Sequence, residues 1–121
     1  MSKILYVEDN EDNVYMLSRR LKRKGFEIVI ATDGEMGVQM AESEKPDLIL
    51  MDLSLPKMDG WTATKTIKSK ENLKSIPIIA LSAHAMDEHK KRAMEAGCND
   101  YDTKPVDIDR LLNKIKTQMK E

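Results

Sequence analysis

The sequence predicts an α/β fold: a five-stranded parallel sheet with helices on both faces. Three observations carry this. Short, mostly apolar runs recur five times, at Lys3–Val7 (KILYV), Glu27–Ala31 (EIVIA), Asp47–Met51 (DLILM), Pro77–Leu81 (PIIAL) and, more polar, Asn99–Asp102 (NDYD). Every gap between them has room for a helix, the connection that parallel strands require. Runs such as LILM and IIAL also lack the polar alternation of a half-exposed strand, so they suit a sheet covered on both sides.

The helices follow in order. Asp12–Lys24 carries Val14, Leu17 and Leu21 at spacings of three and four, and Gly25 stops it. Glu35–Glu44 carries Met36, Met40 and Ala41 and ends at Lys45-Pro46. Asp59–Lys70 opens on a capping-type aspartate and carries Ala63 and Ile67. The polar SKENLKS that comes next reads as a loop. His84–Ala96, with DEHKKR in its middle, is the least apolar helix; its core candidates are Met86, Ala93 and Met94, and Gly97 caps it. Asp107–Lys120 is the most amphipathic, with Ile108, Leu111, Leu112, Ile115 and Met119 on one stripe. One domain over residues 1–121 is expected, without linker or internal repeat.

Composition narrows the function. With 40% apolar and 34% charged residues, the chain reads as an ordinary soluble globular protein. A net charge of −1 argues against a generic nucleic-acid or membrane-surface binder. The few aromatics, Tyr6, Tyr15, Phe26, Trp61 and Tyr101, offer no stacking platform for bases. Cys98 is alone, which fits a reducing cytoplasm; in AGCND, with no His or Asn partner evident, it reads as a packed small residue rather than a nucleophile. The N-terminal MSKILYVED is too short and too acidic for a signal peptide, and no apolar run approaches the about 20 residues that a membrane span needs.

The chemistry sits after the strands. In a right-handed open parallel sheet, functional groups gather at the carboxyl ends of the strands. Strand one is followed by Glu8-Asp9, strand three by Asp52, strand four by Ser82 and strand five by Lys104-Pro105. Strand two runs into Ala31-Thr32-Asp33-Gly34, a turn leading to a helix cap. Each residue has a plainer reading. Asp9 or Asn10 caps the first helix, Asp59 the third, Ser82 or Ala83 starts the fourth, and Lys104 is a solvated lysine. Their convergence on one edge favours a site.

Three clustered carboxylates repel, so one takes up a proton unless a cation intervenes. An oxygen-only ligand set without Cys or His favours Mg2+ over Zn2+. A carboxylate beside Mg2+ and an ammonium suits phosphoryl transfer, with Asp52 attacking phosphorus and Ser82 donating to a phosphoryl oxygen.

The chain resembles the receiver domain of bacterial two-component response regulators. Four pieces carry the resemblance: Glu8-Asp9, then Asp52…Pro56…Asp59-Gly60, then Ser82-Ala83, then Tyr101…Lys104-Pro105. None is specific alone, but the four in order at these spacings are, and they span essentially the whole chain. The resemblance implies the flavodoxin-like strand order 2-1-3-4-5. It implies that Asp52 accepts a phosphoryl group from a phosphohistidine on a histidine kinase or histidine phosphotransfer protein. Asp9 and Asp52 would bind Mg2+ through side chains, Ser54 through its backbone carbonyl and Glu8 through water. Lys104 would pair with the acyl phosphate, and Ser82 with Tyr101 would form a switch. Pro105 would follow a cis peptide bond.

Phosphorylation would then bias the loop after strand four and the weakly apolar fourth helix. That helix, strand five and the fifth helix form the expected face for a downstream protein target, against the plainer reading of a solvated helix. Self-phosphorylation and self-dephosphorylation chemistry is implied rather than enzymatic turnover. The start at Met1 and the ending QMKE favour a complete stand-alone receiver without a DNA-binding output domain, although a piece of a larger hybrid kinase or transcription regulator would look the same.

There are departures from the family pattern. Ser82 stands where Thr is frequent, which keeps the hydroxyl. Asp102 stands at a usually apolar position, which implies a less buried fifth strand. Ser54 and His84 occupy positions that modulate acyl-phosphate hydrolysis, His84 being read as a polar surface residue rather than a general base.

Three other classes fit less well. An aspartate-nucleophile phosphatase carries a second Asp two residues on, where this chain has Ser54. A flavin carrier wants a hydroxyl- and glycine-rich phosphate loop after strand one, where EDNEDN would repel phosphate. A pseudo-receiver would not keep the acidic pair, Asp52 and Lys104.

Overall fold

A computed structural model of the chain describes residues 2–55, 57–83 and 87–119. Strands and helices alternate as β1 (Lys3–Val7), α1 (Glu11–Arg23), β2 (Glu27–Ala31), α2 (Gly34–Glu44), β3 (Leu48–Asp52), α3 (Gly60–Lys68), β4 (Ile78–Ser82), α4 (Asp87–Ala96), β5 (Asp100–Thr103) and α5 (Ile108–Met119). Every pairing is parallel, and the sheet order is β2-β1-β3-β4-β5, the flavodoxin-like arrangement expected. The chain reverses its course across the sheet between β1 and β3, so the ends of these two strands flank the crevice where such sheets place their sites.

The two-residue period of the strands divides the core in two. Leu5, Val7, Ile49, Met51, Ile78, Ala80 and Tyr101 pack with Ala41 of α2, Ala63 and Ile67 of α3 and Ala93 of α4. Ile4, Tyr6, Leu48, Leu50, Ile79 and Leu81 pack with Leu17 and Leu21 of α1 and Leu111, Leu112 and Ile115 of α5. A sheet buried on both faces is the physical reason for the near-continuous apolar strands.

β1 and β2 lie where the sequence predicts them. β3, β4 and β5 each start and end one residue later. Pro77 has no N–H to give, so the β4 ladder begins at Ile78. The shift makes Asp52 and Ser82 the last residues of their strands rather than the first of their loops. Leu53 N–H donates to the Leu81 carbonyl at 3.1 Å and Lys104 N–H to the Ser82 carbonyl at 2.8 Å, so the backbone beyond both strand ends is still held by its neighbours.

Side-chain caps open the helices. Asn10 accepts from Asn13 N–H, Asp33 from Met36 N–H and Asp59 from Thr62 N–H. Asp107 accepts from Arg110 N–H at 3.1 Å and is therefore a cap of α5, not its first residue. Each such cap contributes about 1 kcal/mol. Gly25 and Gly97, at φ 96° and 112°, end α1 and α4 in the left-handed conformation that glycine tolerates. α3 stops at Lys68, before the predicted Lys70: Lys70 N–H donates to the Ile67 carbonyl, three residues back, so the last turn tightens out of the α pattern. The predicted start of α4 at His84, and its core candidate Met86, lie outside the described residues.

Two expectations about the core need correction. Met36 and Met94 are exposed. Ala41 and Ala93 bring those two helices close to the sheet, and the methionines fall off that face. Leu73, in the polar loop after α3, is fully buried. Lys68 secures that loop, donating to the Lys74 and Ile76 carbonyls at 3.1 and 2.7 Å and to Asn99 at 2.8 Å. Lastly, β5 is less buried than β3 and β4, as expected, its two ends being part-exposed, but Asp102 in its middle is only 4% exposed. Arg110 Nε donates to Asp102 Oδ1 at 2.8 Å, and this ion pair offsets the cost of burying the carboxylate. Cys98 is buried against Thr64, and burial pushes its thiol up, as befits a packing residue.

Candidate functional site

Period two decides which strand-end groups meet. Tyr6 and Leu50 face α1 and α5, so Glu8 and Asp52, two residues further along, face the same way. Glu8 is 1% exposed and Asp52 4%. A carboxylate oxygen from each of Glu8, Asp9 and Asp52 lies within 4.8 Å of the others. Asp9, on the exposed turn into α1, closes the group from the solvent side.

Lys104 enters from the loop after β5. Its ammonium donates to Glu8 Oε1 at 2.7 Å and lies 3.4 Å from Asp52 Oδ1. The peptide between Lys104 and Pro105 is cis, as expected. Ser54 N–H donates to Asp52 Oδ1 at 3.2 Å, folding the segment after β3 back over the carboxylate. Ser82, at the end of β4, is buried. It follows Ile78 and Ala80 at period two, on the face that holds Tyr101, and Tyr101 is buried in that core beside β4. All seven predicted site residues are therefore at or near the carboxyl edge of the sheet: Glu8, Asp9, Asp52, Ser54 and Lys104 in one group, Ser82 and Tyr101 on the opposite face. His84 lies outside the described residues.

The charges do not share protons evenly. Burial pushes the Asp52 carboxyl up to about 6, with the hydrogen bond and charge of Glu8 adding to it; Lys104 and the Ser54 N–H oppose. Burial pushes Glu8 upward too, but its hydrogen bonds with Lys104 and Asp52 outweigh this and hold it below the usual carboxylate range. Burial would lower Lys104, yet Glu8 and Asp52 keep it raised. Metal-free, Asp52 rather than Glu8 is the carboxyl that is raised.

Three residues of the site went unread in the sequence. Tyr6 OH donates to Glu8 Oε1 at 3.2 Å, Asn13 Nδ2 to the same oxygen at 3.5 Å, and Asn10 N–H to Oε2 at 3.4 Å. A signal was present for Tyr6, which stands two residues before Glu8 in one strand and so shares its face. The donors on Glu8 stabilise its charge while it anchors Lys104.

An ion is compatible with this donor set. Oxygen ligands from clustered carboxylates, open to solvent through Asp9, are of the type that holds Mg2+ with several waters retained. Among the described residues no helix is long and apolar enough to cross a membrane.

Comparison with known proteins agrees with the geometry. The polar-differentiation response regulator DivK of Brucella anthropi is 34% identical over 116 residues, covering 96% of this chain and 94% of that protein. The receiver domain of a sensor histidine kinase from Pseudomonas aeruginosa PAO1, solved with a magnesium ion coordinated in its active-site cleft, superposes with a TM-score of 0.93 at 36% identity over 99% of this chain and 98% of that one. A chain of the Saccharomyces cerevisiae complex between the histidine phosphotransfer protein Ypd1 and the receiver domain of its downstream response regulator Ssk1 superposes with a TM-score of 0.88 at 33% identity, covering 95% and 86%. The family model for the response regulator receiver domain matches residues 4–116. With its parallel 2-1-3-4-5 sheet and an acidic cluster at the switch point, the chain belongs to the response regulator receiver domain family.

Proposed function

We propose that Asp52 accepts a phosphoryl group from a partner phosphohistidine and that Asp9, Asp52 and the Ser54 carbonyl hold Mg2+ for that reaction, with Glu8 contributing through water. The observation that carries this is the setting of Asp52: a buried carboxylate on the end of a central strand, with the Lys104 ammonium 3.4 Å from it and a carboxylate oxygen of Asp9 within 4.8 Å. The rigid strand fixes where the nucleophile points, and the ionised oxygen attacks phosphorus while the P–N bond to the donor imidazole breaks. Bound in the acidic group, Mg2+ would supply charge that offsets both the carboxylate repulsion and the negative charge of the phosphoryl oxygens.

Lys104 is poised between Glu8 and Asp52 and would exchange part of its bond to Glu8 for a phosphoryl oxygen. Ser82 donates to another phosphoryl oxygen, and Tyr101, on the same face of the sheet, follows it. The resulting change biases the surface of α4, β5 and α5, which we read as the face for a downstream protein target. Donor classes are a histidine kinase or a histidine phosphotransfer protein, in keeping with the complex that Ypd1 makes. A cytoplasmic setting fits the single thiol, Cys98. Self-phosphorylation from a small acyl phosphate is the test. Intact mass should show one phosphoryl group added with Mg2+ and none with chelator; equal labelling of Asp52→Asn and wild type would refute the assignment.

A further inference from the structure

We propose that Gly34 is a positioning residue for the phosphoryl-transfer site, acting as the seat on which the loop between β3 and α3 rests. The inference rests on the assignment of Asp52 and Ser54 above. Gly34 is the first residue of α2, and the sequence alone shows there only a turn leading to a cap. In the fold that turn lies under the β3–α3 loop. A Cβ on Gly34 would stand 2.7 Å from the Met58 carbonyl carbon and 2.9 Å from Met58 Cβ, with the Met58 oxygen nearer still. Real Cβ atoms do not approach so closely, and the obstacle is backbone, which cannot swing aside as a side chain can. Unlike Gly25 and Gly97, Gly34 does not lie in the left-handed region. Its lack of a side chain serves the close approach and not a turn conformation.

A second observation points to the same seat. Lys57, the residue before Met58, has φ 65°, a left-handed conformation that is uncommon for a residue with a side chain. Such a conformation persists only where the surroundings hold it. Its ammonium lies 3.7 Å from Asp33, the residue before Gly34. The other end of the loop is gripped in a similar way. A Cβ on Gly60 would stand 2.7 Å from Leu53 Cα and 3.0 Å from the Asp52 carbonyl carbon, and Gly60 N–H donates to the Leu53 carbonyl at 3.2 Å. Met58 is two residues from Gly60, so lifting it off Gly34 disturbs the close approach of Gly60 to the Asp52 and Leu53 backbone. Ser54, next to Leu53 in the second grip, holds the Asp52 carboxylate through its N–H. Gly34 touches no reacting atom; it acts through Met58.

The test compares wild type, Gly34→Ala and Gly25→Ala by calorimetric Mg2+ titration, thermal melting and phosphorylation rate with a small acyl phosphate. Gly25 has φ 96° with open space around it, so its alanine variant loses stability far from the site and calibrates a purely structural effect. Folded Gly34→Ala should bind Mg2+ at least about tenfold more weakly and be phosphorylated more slowly, as for lost outer-shell support. Gly25→Ala should melt lower yet bind Mg2+ as wild type does. If Gly34→Ala is unfolded in buffer, the titration is run in sucrose, which favours the compact state. Wild-type Mg2+ affinity in folded Gly34→Ala, in either solvent, overturns the inference. Absence of Mg2+ binding by wild type would instead overturn the site assignment on which it rests.

Discussion

Lys104 Nζ is 2.7 Å from Glu8 Oε1, so the cation of the site makes its shorter bond to the carboxylate beside the proposed acceptor rather than to the acceptor, 3.4 Å away. Glu8 is thereby held charged, and Asp52 is left buried next to a negative neighbour. That asymmetry explains why Asp52 alone of the pair is raised.

The raised acceptor makes stability depend on pH in a defined sense. Asp52 moves from 3.8 to about 6 on folding, so its contribution is fully present below pH 3.8 and is lost as pH rises through 6. Asp52→Asn should stabilise the metal-free protein at pH 8 by roughly 1–3 kcal/mol, the gap shrinking below about pH 6 and vanishing near pH 4. Melting curves across that range, in chelator, check it. A gap that widens toward acid would contradict the burial argument.

Lys104→Met should leave Glu8 and Asp52 facing each other without a cation. Lys104 is 20% exposed, so the expected loss in metal-free protein is moderate, roughly 1–3 kcal/mol rather than the full cost of a deeply buried pair. Mg2+ should restore most of it by binding the folded state. Denaturant midpoints with and without Mg2+ decide the matter; no recovery would mean that the acidic group does not hold the ion.

Asp102 gives a sharper stability test, away from the site. Arg110→Ala leaves a carboxylate that is 4% exposed with the Thr103 N–H but no cation; because the Arg110 side chain is itself 45% exposed, the cost should be roughly 1–2 kcal/mol. Replacing both partners by apolar residues, Asp102→Val with Arg110→Met, should recover most of that. Lys114→Ala, whose partner Asp100 is half-buried, should cost clearly less. Chemical denaturation of the four proteins ranks them, and equal losses for Arg110→Ala and Lys114→Ala would count against the burial of Asp102.

Cys98 is buried beside Thr64 with its thiol raised by burial. A thiol reagent should therefore modify it only as fast as the protein opens, and denaturant should make the reaction immediate. Rapid labelling of folded protein would show an accessible thiolate there.

The sheet and its edge were legible because the strands are short and apolar and the groups after them are chemically distinctive. Asp59 announced itself as a cap and is one. What stayed hidden depends on contacts across the fold. Arg110 neutralises Asp102 from the next element. Leu73 is buried because Lys68 and Asn99 tie its loop down, and a polar composition gave no sign of it. Met36 and Met94 looked like core residues by spacing, but alanines bring their helices close to the sheet. Strands three to five slipped by one residue because the ladder runs on through Asp52 and Ser82, and a carboxylate or hydroxyl at a strand end reads locally as the start of a loop.

The most direct test is to find where the phosphoryl group goes. Protein treated with a small acyl phosphate and Mg2+ is reduced with borohydride, which converts an aspartyl phosphate to homoserine, and its peptides are read by mass spectrometry. Conversion is expected at position 52 alone, dependent on Mg2+. Conversion at Glu8, Asp9 or any other carboxylate, with position 52 unchanged, would contradict the Asp52 assignment.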